Sequence, residues 1–234
     1  MAILRRYLTE MEQQQLLRKA KSSNDPLAQR DFQWIRLLIL TGARINEFAQ
    51  WTAGMAELAL RNGYIVVPAH MRKGFSAKRE KGEEPKDPKR VPHSYFVTPT
   101  IRECLEALLR LSAAENAPLD GGPSPLVWGD GQALSVRSYQ VRLKLWAREA
   151  GLPGGVSPHW LRHTRAMNMI RRSRSANPLK VAQLALGHAS LSSTGIYTQM
   201  SREEFERDLL AIDGKRLSRK AAVAAAQGSQ GVLL

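Results

Sequence analysis

Helix-start signals recur along this chain, whereas strand signals gather in one short stretch. That imbalance points to a mainly α-helical α+β fold with a single small sheet. Thr9-Glu10-Met11-Glu12 has the reciprocal spacing of a capping box and opens a first helix carrying Leu16 and Leu17. Asp25-Pro26 offers a cap with proline at the first helical position, and Leu27, Ile35, Leu38 and Ile39 carry that helix to Thr41-Gly42. A further helix bears Arg44, Glu47, Phe48 and Trp51. Apolar runs at 57–60 and 64–67 flank Arg61-Asn62-Gly63, and an Asn-Gly pair so placed predicts a hairpin. A strand over 90–98 returns after a polar loop at 74–89, which makes a three-stranded antiparallel sheet. Helices are expected at 101–111, with Cys104 packed on the apolar side, and at 135–150, 157–172, 178–186 and 192–198. Pro118, Gly121, Gly122 and Pro123 mark a surface loop at 116–124, and Ser201-Arg202-Glu203-Glu204 caps a last helix through Leu210.

Charge narrows the function. The chain has 234 residues, 35 Lys and Arg against 21 Asp and Glu, and a formal charge of +14. Hydrophobic residues make up 43%, enough for a packed core, which excludes a disordered basic tail protein. No run approaches the roughly 18 apolar residues of a membrane helix; the stretch at 34–40 is short and broken by Arg36. The N-terminus lacks the apolar core of a secretory signal, and a single cysteine excludes both an internal disulfide framework and a Cys-based zinc site. A soluble, cytoplasmic protein that binds nucleic acid or another polyanion is the expectation. Between residues 131 and 201 ten basic side chains face one acid, Glu149, so +9 of the total lies there. These include Arg137, Arg142, Lys144, Arg165, Arg171 and Arg172, which, with Arg72, are the expected contacts for a nucleic acid such as DNA or another polyanion. The second basic run, 72–90, is diluted by four acids and taken alone reads as a solvated surface.

Three segments carry chemistry. In Thr41-Gly42-Ala43-Arg44-Ile45-Asn46-Glu47, Arg44 follows a helix break and Glu47 sits three residues on, able to orient the guanidinium; alone, such a pair is common surface decoration. In Ser157-Pro158-His159-Trp160-Leu161-Arg162-His163-Thr164, cap and proline put His159 in the first helical turn with Arg162 one turn on. A positive helix end, an imidazole and a forked guanidinium facing one point make a phosphate site. The His159/His163 spacing also suits zinc, but Trp160 stands where a metalloprotease has glutamate, and an arginine between the ligands repels the ion. In the third segment His188 follows a helix-ending Gly187, and Tyr197 lies among small polar residues. A lone helical tyrosine is ordinarily a core residue, but here little core surrounds it.

Together, Arg44 in a T-G-x-R-x-x-E box, His159-x-x-Arg162 followed by His163-Thr164, Leu186-Gly187-His188, and Tyr197 resemble the tyrosine recombinase (phage integrase) family, in that family's order, from about residue 7 to about residue 210. The resemblance implies the family's DNA breaking-rejoining catalytic fold over 1–212, with a basic, alanine-rich tail at 213–234 that either packs on a neighbouring protomer or is disordered. It implies that Arg44 and Arg162 clamp a scissile phosphate, with His159 and His188 assisting, Glu47 supporting the first arginine and Tyr197 as nucleophile. A lysine from the turn between the second and third strands completes the set. Lys73 fits best, and Lys78, Lys81 and Lys86 are alternatives.

The implied products are a 3′-phosphotyrosyl link and a free 5′-hydroxyl, formed without metal, ATP or other cofactor. The implied partners are double-stranded DNA, further copies of the chain in a tetramer on that DNA, and a separate DNA-binding or accessory protein. Family members normally carry a DNA-binding domain ahead of the first arginine box; only 43 residues precede Arg44, so no separate domain of that kind is expected here. Two other readings stay open: relaxation of supercoils in the manner of a type IB topoisomerase, and a non-catalytic DNA-binding regulator. The regulator would be expected to lack Tyr197 or an arginine, and all are present.

Overall fold

A computed structural model describes residues 7–72, 92–114, 123–129 and 132–187. Helix α1 (Glu10–Lys21) starts at the expected capping box: the Thr9 side chain accepts from the Glu12 N–H, and the Glu12 carboxylate accepts from the Thr9 N–H at 2.6 Å. Helix α2 (Ala28–Thr41) begins later than its Asp25-Pro26 signal, because Asp25 instead caps a preceding turn, its Oδ1 accepting from the Leu27 N–H at 2.8 Å. A short α3 (Ile45–Phe48) follows, then α4 (Ala53–Asn62), β1 (Tyr64–Val67), a 3-10 turn (Ala69–Met71), β2 (His93–Phe96) and α5 (Pro99–Ala114). The order closes with β3 (Trp128–Gly129), β4 (Gln132–Ala133), α6 (Val136–Glu149), α7 (Pro158–Arg172) and α8 (Pro178–Leu186).

The expected hairpin is corrected by α4. Residues 57–60 are helical, started by Thr52, whose side chain accepts from the Met55 N–H, and ended by Gly63 at φ 79°. The Asn-Gly pair therefore stops a helix rather than turning a hairpin, since glycine serves the left-handed position in both. β1 pairs directly with β2, antiparallel, with Tyr64 opposite Phe96 and Val67 opposite His93. Among the described residues this sheet has two strands, not three; β3 and β4 form a second antiparallel pair that the sequence did not suggest. The expected helices at 192–198 and 201–210, most of the 116–124 loop and the tail lie outside the described residues.

Helix α2 is the central beam, packed against α1, α5 and α7. Beside it Trp34, Tyr139 and Phe48 stack edge to face, with ring centroids 5.0 and 5.5 Å apart, and Trp51 joins Phe48 at 4.9 Å. One buried carboxylate ties α2 to α6. Asp31 is fully buried and accepts from Arg30 and the Trp34 indole on Oδ1, and from Arg142 Nε at 2.5 Å and the Trp146 indole at 2.8 Å on Oδ2. Cys104 is buried as packing, and burial pushes its thiol up to about 11. Among the described residues no helix is long and apolar enough to cross a membrane.

Candidate active site

The site is built where helix ends meet. Gly42 closes α2 in the left-handed region (φ 67°), and a Cβ there would stand 2.5 Å from Leu186 Cδ2. Glycine thus lets the C-termini of α2 and α8 approach each other. Two residues on, Arg44 occupies the cap position of α3 in an extended conformation, and the turn brings Glu47 back beneath it, Nη1 to Oε1 at 3.0 Å. The Glu47 side chain is 1% exposed and the Arg44 side chain 30%. The carboxylate is the buried anchor, and the guanidinium is the more exposed member. Glu47 Oε2 has no hydrogen-bond partner among the described residues.

Helix α7 supplies the second arginine. Pro158 stands at its first position after Ser157, although the Ser157 side chain makes no cap hydrogen bond. Arg162 points inward, 3% exposed, donating from Nη1 to the Gly42 carbonyl at 2.6 Å and from Nη2 to the Leu186 carbonyl at 2.8 Å. Two helix C-termini, which accumulate negative partial charge, therefore hold one guanidinium in place. Arg44 follows by two residues the Gly42 that Arg162 holds, and the charges of both arginines act on the buried Tyr95. His159, one turn earlier, is exposed and packs edge to face on His163, centroids 4.2 Å apart.

Two side chains that the sequence reading passed over face the same cluster. Tyr95 is 4% exposed; burial first, and the Glu47 carboxylate second, push its phenol up to about 12 against the opposing charges of Arg162, Arg44 and Arg72. His93 is held below the usual imidazole range by burial, and the charges of Arg72 and Arg162 act the same way. The signal was present, because the two-residue period of a strand puts His93 and Tyr95 on one face.

Arg44, Glu47 and Arg162 are thus brought together, with Arg72 beside them, its Nη2 donating to the Gly187 carbonyl at 3.1 Å. Lys73, His188 and Tyr197, together with Lys78, Lys81 and Lys86, lie outside the described residues. Of the expected DNA-binding residues, Arg137 and Lys144 are exposed on α6. Arg171 donates to the Tyr7 hydroxyl and lies over its ring, and Arg172 pairs with Glu10. Arg165 is half-buried, and burial with the nearby Arg172 charge lowers its pKa. Arg142 is a correction. Its guanidinium is engaged by Asp25 and buried Asp31 and lies over Trp146, which makes it a core tie rather than an interface residue. Burial opposes its charge, but the two carboxylates still carry its pKa upward. Among the described residues no three His, Cys, Asp or Glu side chains gather closely enough to hold a metal ion.

A mainly helical fold that sets two fixed arginines at adjoining helix ends, one braced by a buried carboxylate, defines a centre suited to a phosphate group. The chain belongs to the phage integrase family, whose model matches residues 6–204. Among curated proteins it is 31% identical over 179 residues to the tyrosine recombinase XerC of Vibrio campbellii, a match covering 76% of this chain and 49% of that protein. The chain therefore spans about half the length of the curated relatives it matches. Among solved structures it resembles the XerA recombinase, with TM-score 0.63 and 22% identity over 91% of this chain and 64% of that one. It also resembles the Tn1549 transposon integrase in complex with transposon right end DNA, with TM-score 0.67 and 18% identity over 88% and 65% of the two chains. Both structures have the same fold as the described helices and sheet.

Proposed function

We propose that the chain is a tyrosine-type site-specific DNA recombinase that cuts and rejoins duplex DNA through a covalent 3′-phosphotyrosyl intermediate. The observation that carries this reading is the seating of Arg162 on the Gly42 carbonyl, two residues from the Arg44–Glu47 pair, in a chain of this family. In the proposed reaction the Tyr197 hydroxyl attacks the scissile phosphorus and the bond to the 5′ oxygen breaks. Arg44 and Arg162 offset the charge that grows on the non-bridging oxygens. His159 and His188 contact the phosphate and assist loss of the phenolic proton, and Lys73 gives a proton to the departing 5′ oxygen. The phosphotyrosyl bond conserves the energy of the one broken, so a second strand's 5′-hydroxyl reverses the step without ATP or a metal.

The other tyrosines support the assignment. Tyr95 and Tyr139 are buried with raised pKa values, Tyr64 packs on Phe96, and the Tyr7 hydroxyl accepts from Arg171. The catalytic domain spans 1–212, the tail at 213–234 serves self-association in a tetramer on DNA, and a separate DNA-binding or accessory protein is a further partner. The working location is the cytoplasm, at the nucleoid, in the setting of a mobile element. For each phosphate neutralised, affinity for DNA falls by about 0.9 log units per tenfold rise in salt, so a salt titration of binding counts the phosphates that this chain contacts.

The test is incubation with nicked or phosphorothiolate duplexes from a library of candidate attachment sites, read on a denaturing gel. A covalent protein–DNA band that disappears in Arg162→Ala supports the reading. DNA binding with no band at any site, even after a core-binding domain is added in trans, contradicts it in favour of a regulator.

A further inference from the structure

Helix α8 runs out at Gly187, and its last carbonyls are served with unusual completeness. The Gly187 N–H turns back to the Gln183 and Leu184 carbonyls. The next three carbonyls are each taken by a side chain from a different part of the fold. His93 of β2 meets the Ala185 oxygen at 3.1 Å, Arg162 of α7 meets the Leu186 oxygen at 2.8 Å, and Arg72, just past the 3-10 turn, meets the Gly187 oxygen at 3.1 Å. A helix leaves its last four carbonyls without donors, and water ordinarily takes several of them. Here side-chain donors meet three of them.

The donor on His93 is defined by its partner: a carbonyl only accepts, so Nε2 carries the proton. The ring is braced edge to face on Tyr95 at 4.5 Å. Gly187 has φ 63°, and a Cβ added there would stand 2.9 Å from His93 Nδ1 and 3.1 Å from Arg72 Nη2. The glycine that ends α8 therefore also leaves room for the two donors. The residue that follows Gly187 is His188, and Tyr197 is ten residues beyond Gly187.

We propose that His93 and Arg72 are positioning residues: by holding the Ala185 and Gly187 carbonyls, they fix the point and direction at which the chain leaves α8 toward His188 and Tyr197. The catalytic half of this proposal rests on the recombinase reading above. Neither residue needs to touch DNA for the role. Arg162 links the two systems, since the guanidinium that faces the phosphate also holds the carbonyl between theirs. Burial keeps His93 neutral near pH 7, so its single ring N–H stays committed to Ala185.

The test uses the full chain and three variants. His93→Phe keeps the ring but removes the donor, His93→Gln keeps an N–H of similar reach, and Arg72→Met removes the second donor. Hydrogen exchange is read on the peptide covering 183–192, and single-turnover cleavage on a nicked duplex. One lost hydrogen bond should speed exchange at this peptide about 3- to 10-fold, with α5 unchanged as a control for folding. Cleavage by His93→Phe should fall about 10-fold, and by no more than about 10²-fold, at unchanged DNA affinity. His93→Gln should return both readouts toward wild type, and Arg72→Met, which acts on a separate carbonyl, reads the clamp if His93→Phe fails to fold. Wild-type exchange in a folded His93→Phe, or wild-type cleavage despite faster exchange, overturns the positioning role. The expected exchange pattern together with no covalent product from wild type overturns the recombinase reading and leaves the helix-end clamp standing.

Discussion

Replacing Glu47 by glutamine separates orientation from chemistry at this site. Glu47 is 1% exposed and holds Arg44 Nη1 at 3.0 Å. The isosteric amide keeps an oxygen there but loses the charge. A hydrogen bond to a charged partner contributes about 1.5–3 kcal/mol and a neutral one about 0.5–1.5 kcal/mol, so Glu47→Gln weakens the hold on Arg44 by roughly 1–1.5 kcal/mol. At about 1.4 kcal/mol per tenfold, the properly seated fraction of Arg44 drops by no more than about tenfold. Arg44→Ala removes the guanidinium itself and should cost about 10²–10³ in rate. It also leaves Glu47 buried without its partner, a loss of about 3–5 kcal/mol in stability. Single-turnover covalent-complex formation by both variants, beside urea unfolding, measures the two effects. A Glu47→Gln variant as inactive as Arg44→Ala would refute the reasoning, since it would give the carboxylate a direct part in the reaction. A variant with the wild-type rate would refute it from the other side, because the ion pair would then orient nothing.

Other consequences are as direct. Asp31→Asn places amide hydrogens against indole and guanidinium donors that now share one carboxylate; it should cost about 3–5 kcal/mol and lower Tm by roughly 6–20 °C, seen by circular dichroism. Gly42→Ala meets both a φ of 67° and Leu186 Cδ2 at 2.5 Å, and a loss of about 1–3 kcal/mol is expected, with cleavage impaired further because the Gly42 carbonyl seats Arg162. His93 gives stability a pH dependence. Its folded pKa lies below the unfolded value of about 6.5, so below that pH the unfolded chain binds more protons and stability is lost as pH falls. Urea unfolding between pH 8 and 5 should show this decline, and His93→Gln should flatten it; a wild-type slope in that variant would assign the decline to other groups.

What could be read in the sequence was local, and what was missed was not. Thr9 with Glu12, the proline opening α7 and the glycine closing α2 act within one helical turn, and each stands where its spacing put it. The Arg44–Glu47 pair was legible for the same reason. Asn62-Gly63 misled because a left-handed glycine ends a helix as readily as it turns a hairpin; Thr52, ten residues earlier, was the signal that decided between them. Arg142 counted as one positive charge among ten, and only the tertiary approach of Asp25 and Asp31 shows where its charge is engaged. His93 and Arg72 are about a hundred residues from the carbonyls they hold, and no periodicity in the chain connects them.

The most direct test of the central claim is the identity of the residue joined to DNA. The covalent complex would be trapped on a phosphorothiolate duplex, trimmed with nuclease, digested with protease and sequenced by mass spectrometry. The account predicts a nucleotide-bearing peptide modified on Tyr197, 3′-linked, and no complex from Tyr197→Phe. An adduct on any other residue, or an undiminished complex from Tyr197→Phe, would contradict it.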